Sequence, residues 1–122
     1  MQHARLRRRS EFAAVQGRGR WWSTPLLTLR ALPNALTDSR FGLLVSKRVG
    51  GAVVRNRAKR RLREIVKTEL VVPGWDMVLI ARPRMARASF AEIQSAVRDL
   101  LRRGRLLEKG VATGVVDPGE QS

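Results

Sequence analysis

The sequence predicts a single mixed α+β domain, and three observations support this fold class. The chain has 122 residues, a length at which one domain is usual and roughly two-thirds of the unfolded surface becomes buried. Hydrophobic residues make up 43% of it, which is enough for a packed core. Some segments repeat apolar residues at helical spacing, whereas others are short β-favouring runs. The chain has no cysteine, which excludes disulfides and thiolate metal sites and favours an intracellular protein.

The N-terminal part predicts a basic arm followed by a short helix. Residues 1–9 are rich in arginine and offer little to bury, so we expect a flexible arm. Ser10 is a candidate N-cap for a helix over residues 11–16, and Gly17 and Gly19 are expected to end it.

The next segment predicts β-structure. Residues 21–32 are apolar and β-favouring, and Pro25 either restricts them to a sheet edge or splits them into two strands. A polar loop over residues 33–39 turns the chain. Residues 41–47 then predict a further strand.

Residues 52–70 predict an amphipathic helix. At ~100° per residue, five apolar side chains share an arc of about 120°, which indicates a face buried against a core. These residues are Val54, Ala58, Leu62, Ile65 and Val66. The opposite arc is cationic and polar: it holds Asn56, Arg57, Lys59, Arg60, Arg63 and Lys67, with Arg55 and Arg61 at its borders.

The C-terminal part predicts one strand and one helix. Residues 75–81 are a mostly apolar strand of the kind that is covered on both faces. Ser89 and Glu92 form a capping-box pattern for a last helix, which Gly104 is expected to end. The domain is therefore expected to span residues 10–104, followed by a loose tail over residues 105–122.

The charge is strongly asymmetric. The chain carries 25 Lys and Arg against 10 Asp and Glu, a net charge of +15. Residues 1–67 hold 17 of these cations against only three acids, which leaves the rest of the chain almost neutral. A folded domain with one strongly basic half favours a polyphosphate partner, and nucleic acid in particular, over a merely solvated surface or a targeting patch.

The residues needed for catalysis are scarce. The single histidine, His3, falls in the predicted arm, there is no tyrosine, and the acids are scattered singly. General acid–base and metal-assisted hydrolysis both need clusters of such groups, so the sequence argues against chemistry by the protein itself. The first residues lack the apolar stretch of a secretion signal, and the apolar runs are far shorter than the ~20 residues of a membrane span.

One continuous stretch carries a family pattern. Lys47 and Arg48 lie at the end of a predicted strand, just before a glycine turn. The helix that follows presents its N-terminal amides and carries six cations within nine residues, from Arg55 to Arg63. Such groups suit phosphate and sugar contacts. This stretch resembles the protein component of bacterial ribonuclease P. The matching residues are Arg40-Phe41-Gly42, Val45-Ser46-Lys47-Arg48-Val49-Gly50, Ala52-Val53 and Arg55-Asn56-Arg57-Ala58-Lys59-Arg60, with supporting flanks over residues 5–6, 12–15 and 76–82.

The resemblance, which covers roughly residues 5–103, implies both a fold and an activity. The fold would be a small α/β sandwich in the order α-β-β-β-α-β-α, with a left-handed β-α-β crossover that general topology rules would not give. The protein would be the RNA-binding subunit of a cytoplasmic ribonucleoprotein that removes the 5′ leader from precursor tRNA. The RNA subunit and its Mg²⁺ ions would perform the hydrolysis, and the protein itself would need no cofactor. No membrane and no stable protein partner are implied.

The resemblance also implies two sets of site residues. The RNA-binding set is Lys47, Arg48, Arg55, Asn56, Arg57, Lys59, Arg60, Arg63 and Lys67. The leader cleft, between the first helix and the sheet, would contain Phe12, Gln16 and Arg30, where Gln16 and Arg30 replace aromatic residues common in the family. Phe12 is compatible with base stacking and with core packing.

Adjacent strand residues point to opposite faces, so at most one of Trp21 and Trp22 is expected to face the cleft, and Trp75 is expected to pack in the core or at an edge.

Other interpretations share parts of this pattern. A ribosomal or other structural RNA-binding protein would have the same size and charge. A DNA-binding domain that uses the basic helix for recognition lacks the preceding short helix, because residues 41–47 predict a strand.

Overall fold

The computed structural model describes residues 4–108, which form one five-stranded sheet and three α-helices. The elements are β1 (Ala4–Arg5), α1 (Arg9–Arg18), β2 (Arg20–Ser23), β3 (Leu27–Pro33), β4 (Arg40–Leu44), α2 (Ala52–Thr68), β5 (Trp75–Ala81), a 3₁₀ helix (Pro83–Arg87) and α3 (Phe90–Arg103). The predicted α+β class and the order α-β-β-β-α-β-α are confirmed, with β1 and the 3₁₀ helix added to them.

The strands lie in the order β1-β4-β5-β3-β2. The predicted segment 21–32 is two strands that pair antiparallel, and β3 pairs antiparallel with β5. In contrast, β4 and β5 are parallel neighbours joined through α2, so this is the β-α-β crossover. Its left-handedness stays a prediction.

The central strand β5 is covered on both faces, as its apolar sequence predicts. Met77, Leu79 and Ala81 belong to a large core beneath α2 and α3, whereas Val78 and Ile80 belong to a small core beneath α1. This alternation follows from the two-residue period of a strand. The sheet therefore has α2 and α3 on one face and α1 on the other.

The predicted apolar face of α2 is confirmed. Ala58, Leu62, Ile65 and Val66 are buried, and Val54 is partly buried against the same core. The helix ends at Thr68, slightly before the predicted boundary.

In α3, the predicted capping box forms. The Ser89 hydroxyl accepts a hydrogen bond from the Glu92 N–H at 3.1 Å, and the Glu92 carboxylate accepts one from the Ser89 N–H at 2.8 Å. Gly104 is the C-cap, as predicted. Phe90 remains 38% exposed, because it occupies the first turn at the rim of the helix.

The start of α1 differs from the prediction. Ser10 lies inside the first turn, and the N-cap is Arg8. The Glu11 carboxylate, at the third position of the helix, accepts the N–H groups of Arg7 and of the N-cap Arg8 at 2.8 and 2.9 Å. An acidic side chain in the first turn also complements the helix dipole, so the helix begins earlier.

Within the described residues, ordered contacts also occur outside the predicted domain bounds of residues 10 and 104. Ala4–Arg5 pairs in parallel with β4, and Leu6 is buried beneath α1, so the chain is already structured before Ser10. At the other end Leu106 is buried, and the Glu108 N–H donates to the Leu70 carbonyl at 2.9 Å. These non-local contacts extend the folded domain in both directions. The expectations for His3 and for residues 109–122 fall outside the described residues.

The predicted strand 41–47 is shorter than expected. It ends at Leu44, after which the Val49 N–H donates to the Ser46 carbonyl and the Gly50 N–H to the Lys47 carbonyl. These bonds form a turn, so Lys47 lies in the turn that leads into α2.

Candidate nucleic-acid interface

The turn before α2 requires glycine at position 50. A Cβ atom there would lie 2.8 Å from the Val54 side chain, closer than such atoms approach. The Arg55 Nε donates to the Gly50 carbonyl at 3.2 Å, which ties the first turn of the helix to this loop. Lys47 and Arg48 are exposed on the turn, beside the start of α2.

The predicted RNA-binding residues form one unpaired cationic surface, which we call the α2 surface. Within residues 4–108, none of its cations takes part in an ion pair. Arg55, Arg57 and Lys59 are partly exposed, and the other members are exposed. The surface consists of Lys47, Arg48, Arg55, Asn56, Arg57, Lys59, Arg60, Arg63 and Lys67. Cations left unpaired in this way are free to contact phosphate groups.

The border residue Arg61 has a different role. Its Nη1 donates to the Ala88 carbonyl at 3.3 Å and so fastens α2 to the segment between the 3₁₀ helix and α3. This contact agrees with the position of Arg61 at the edge of the predicted cationic arc.

Three cations of the α2 surface line a groove at the β1–β4 edge of the sheet. Lys59, Arg63 and Lys67 are four residues apart, so they lie in a row along the helix. Arg5 and Phe12 also line this groove, whose volume is about 380 Å³. The groove thus places an aromatic ring beside four cations. Sequence reasoning missed Arg5, because its position depends on the pairing of β1 with β4.

Phe12 is partly buried and packs on the backbone of Gly42. A Cβ atom at Gly42 would clash with the Phe12 ring, so glycine is required there for close approach. Leu6, Val15 and Val78 complete this small core. Phe12 therefore packs against the sheet, which is one of its two predicted roles, and it also lines the groove, whereas base stacking stays a prediction.

Gln16 lies one turn after Phe12 on α1 and is exposed. The Arg30 Nη1 donates to the Gln16 carbonyl at 2.8 Å, which ties α1 to β3. Phe12 and Gln16 thus lie on α1 and Arg30 holds that helix on the sheet, but of the three predicted cleft residues only Phe12 lines the groove.

The sheet register separates the two adjacent tryptophans. Trp21 lies opposite Arg30, which lies opposite Val78, so Trp21 shares the α1 face and is 60% exposed. Trp22 lies opposite Leu29 and packs against the large core, close to Gly104. The prediction that at most one of them faces the cleft is confirmed. Trp75 packs against the large core.

An ion-pair network anchors the start of α1. Arg40 donates to Asp76 Oδ2 at 2.7 Å and to Glu11 Oε2 at 2.9 Å. The Asn34 amide donates to Asp76 Oδ1 at 2.8 Å. The hydrogen bond from Arg40 to Asp76 raises the pKa of the guanidinium. The backbone N–H groups of Arg8 and Arg7, with a smaller effect from Arg40, lower the pKa of Glu11 below its ordinary value of 4.5.

The part of the chain that the structure describes offers no group of three His, Asp or Glu side chains placed to hold a metal ion. In the same residues no helix has the length and apolar character needed to cross a membrane. Because β4 precedes α2, the DNA-binding alternative also lacks the first helix of a helix-turn-helix motif.

Comparison with known proteins matches this architecture to one family. The sequence model described as Ribonuclease P matches residues 1–105. A ribonuclease P protein component of Dehalococcoides mccartyi strain CBDB1 is 47% identical over 105 residues, which cover 86% of this chain and 88% of the relative. That of Roseiflexus castenholzii is 44% identical over 111 residues, which cover 88% of this chain and 91% of the relative.

Solved structures agree. The RNase P protein of Thermotoga maritima superposes with a TM-score of 0.75 at 28% identity, covering 83% of this chain and 97% of that one. The RNase P protein of Staphylococcus aureus has the same fold, with a TM-score of 0.77 at 23% identity, covering 88% of this chain and all of that one. The ribosomal alternative shares the charge and size but not these matches. The chain therefore belongs to the ribonuclease P protein family.

Proposed function

We propose that this protein contacts two RNAs with different surfaces, one through the α2 surface and the other through its α1 side. As a member of its family, the chain is the RNA-binding protein component of an endoribonuclease, and it assists the catalytic RNA in removing the 5′ leader from precursor tRNA. The proposal concerns which residues contact which RNA.

The α2 surface binds the RNA subunit. The observation that carries this assignment is the absence of ion pairs among its cations within residues 4–108, although acids are present elsewhere in the domain. A clustered set of unpaired cations repels itself in the free protein, whereas a phosphate backbone neutralises it and releases counterions. The apolar half of α2 keeps the helix fixed in the core, so the cations are presented on a rigid support.

The α1 side guides the single-stranded leader of precursor tRNA. Phe12 offers a partly exposed ring, and the groove around it has a volume within the ~300–1,000 Å³ range of small-ligand sites, which suits a nucleotide. Arg5 on its wall suits an adjoining phosphate of the leader, whereas Lys59 and Arg63 on the same groove belong to the α2 surface and are assigned to the RNA subunit. Gln16 extends this surface along α1 with an amide that donates and accepts hydrogen bonds. Arg30 contributes by holding α1 in place.

The hydrolytic step belongs to the RNA subunit and the Mg²⁺ ions that it uses. The protein supplies cations that reduce repulsion between the two RNAs, so its addition lowers the Mg²⁺ concentration needed for cleavage. We place this activity in the cytoplasm, where precursor tRNA would meet the enzyme.

The test removes two exposed cations of the α2 surface. We expect Arg60→Ala with Arg63→Ala to weaken binding of the RNA subunit and to flatten the dependence of log K on log salt by about one unit per lost phosphate contact. Binding is measured by titration of the full-length protein into labelled RNA at several salt concentrations.

The matched control is Arg7→Ala with Arg9→Ala, which removes the same charge from exposed positions at the start of α1. We expect its salt dependence to stay close to that of the unmodified protein, and both double variants to melt at nearly the unmodified temperature. A lower melting temperature together with an unchanged salt slope for the Arg60 and Arg63 variant would contradict the assignment.

A further inference from the structure

The part of the chain that follows α2 is almost neutral by sequence, but in the structure two of its acids are buried and two more are engaged in a cap or an ion pair, whereas Glu108 is exposed. Glu69 is 4% exposed and accepts from Arg98 Nε at 2.9 Å. Asp76 is 6% exposed and is paired with Arg40. Glu92 is engaged in the cap of α3, and Asp99 accepts from Arg103 at 3.4 Å. Among residues 68–108, Arg84, Arg87 and Arg102 are exposed and take part in no ion pair.

The remaining cations surround an open groove, which we call the α3 groove. It runs between the turn that joins β2 to β3, the 3₁₀ helix, and α3. Its walls carry five arginines: Arg48, Arg84, Arg87, Arg98 and Arg102. Arg98 is the one of these with an ion-pair partner among residues 4–108. Glu92 and Asp99 also line the groove, but the contacts above already engage their carboxylates.

Between these cations the groove wall is made of small side chains, including Ala86, Ala91 and Ser95. Small residues let a bulky ligand approach the backbone, and guanidinium groups at the rim suit its phosphates. A sugar–phosphate chain has this shape and charge.

The α3 groove is continuous with the α2 surface. Arg48 belongs to both, and the Arg61 bond to the Ala88 carbonyl joins α2 to the segment that forms the groove wall. In addition, α2 and α3 pack on the same face of the sheet, whereas α1 and the predicted leader residue Gln16 lie on the other. An RNA seated on the α2 surface would therefore meet the groove next.

We propose that the α3 groove is a second binding site for the backbone of the RNA subunit, with Arg84 and Arg87 as its principal phosphate contacts. This inference rests on the proposed function, because it requires the α2 surface to face that RNA. It adds a contact from the half of the chain whose sequence has almost no net charge.

The experiment compares three double variants of the full-length protein in binding to the RNA subunit across a salt series. We expect Arg84→Ala with Arg87→Ala to flatten the salt slope by on the order of one unit per lost contact. Arg84→Lys with Arg87→Lys retains the charge and should recover most of the affinity. The control Arg7→Ala with Arg9→Ala loses the same charge at the start of α1, which packs on the other face of the sheet. All variants are melted, and because Arg84 and Arg87 are exposed we expect unchanged melting temperatures.

Backbone footprinting of the RNA subunit locates the contact. We expect the Arg84 and Arg87 alanine variant to lose protection in a segment different from the one lost by the Arg60 and Arg63 alanine variant. If the Arg84 and Arg87 alanine variant loses no more affinity than the control, its loss reflects only the change in net charge, and the inference is overturned. A loss confined to precursor-tRNA binding, with RNA-subunit binding unchanged, would also overturn it.

The outcomes separate the inference from the proposed function. If the Arg60 and Arg63 variant weakens RNA-subunit binding but the Arg84 and Arg87 variant does not, the groove alone is wrong. If neither variant differs from the control, the assignment of the α2 surface fails as well.

Discussion

The two faces of the sheet hold their helices by different means. Among the described residues, the core beneath α2 and α3 contains 21 buried side chains, whereas the core beneath α1 contains Leu6, Val15 and Val78. In compensation, α1 is tied by polar contacts: Arg40 binds Glu11, and Arg30 binds the Gln16 carbonyl. Apolar burial therefore fixes α2 and α3, and directional bonds fix α1.

This difference has a functional meaning. Segments with few buried apolar contacts open at a lower free energy than the core elements. If α1 borders the leader, as proposed, such freedom would let single strands of different sequence fit beside it. In contrast, the proposed contact of the α2 surface with a folded RNA would need a rigid support.

The largest expected effect is on the α2 and α3 face. Leu62 is fully buried in the large core, and we expect Leu62→Ala to lower the free energy of unfolding by ~2–5 kcal/mol. Urea denaturation followed by circular dichroism measures this loss. A loss below 1 kcal/mol would show that the large core does not carry the stability assigned to it.

Removal of Arg40 should loosen the α1 face. Arg40→Ala leaves the buried Asp76 without its charged partner, which should cost about 1–3 kcal/mol. Amide hydrogen exchange should show lower protection in α1 than in α2 and α3. Uniform loss of protection in all three helices would mean that the two faces are not independently held.

Phe12→Ala tests whether the α1 face binds the leader. We expect a loss of ~1–3 kcal/mol in binding of precursor tRNA to the reconstituted enzyme, with a smaller loss for mature tRNA, which has no leader to stack. Thermal melting of the same variant monitors the packing on Gly42. Equal losses for both RNAs, accompanied by a destabilised fold, would assign Phe12 to packing alone.

The smallest effect concerns pH. Because the folded protein lowers the pKa of Glu11, its carboxylate contributes stability above its ordinary pKa of 4.5, and this contribution is lost as the pH falls through the lower, folded value. Glu11→Gln should therefore be less stable than the unmodified protein at neutral pH and approach it in acid. A stability difference that does not change between pH 7 and acid would contradict the role of the charge.

Local patterns in the sequence already determine much of this protein. The apolar arc of α2, the Ser89 and Glu92 capping box and the Gly104 stop depend on residues within a few positions of one another, so their spacing suffices to predict them. The same holds for the excess of cations before residue 68. The continuous family pattern from Arg40 onward also indicated the fold order and the RNA-binding role.

The tertiary structure decided the features that depend on distant pairing. The register of β2 with β3 sent Trp21 and Trp22 to opposite faces, and the pairing of β1 with β4 placed Arg5 beside Lys59. Folding also pairs Glu69 with Arg98 and Asp76 with Arg40, and it leaves Arg84 and Arg87 of the α3 groove without an ion-pair partner among the described residues. Composition counts every charge equally, whereas folding removes some charges from the surface, so only the folded chain shows where its cations remain unpaired.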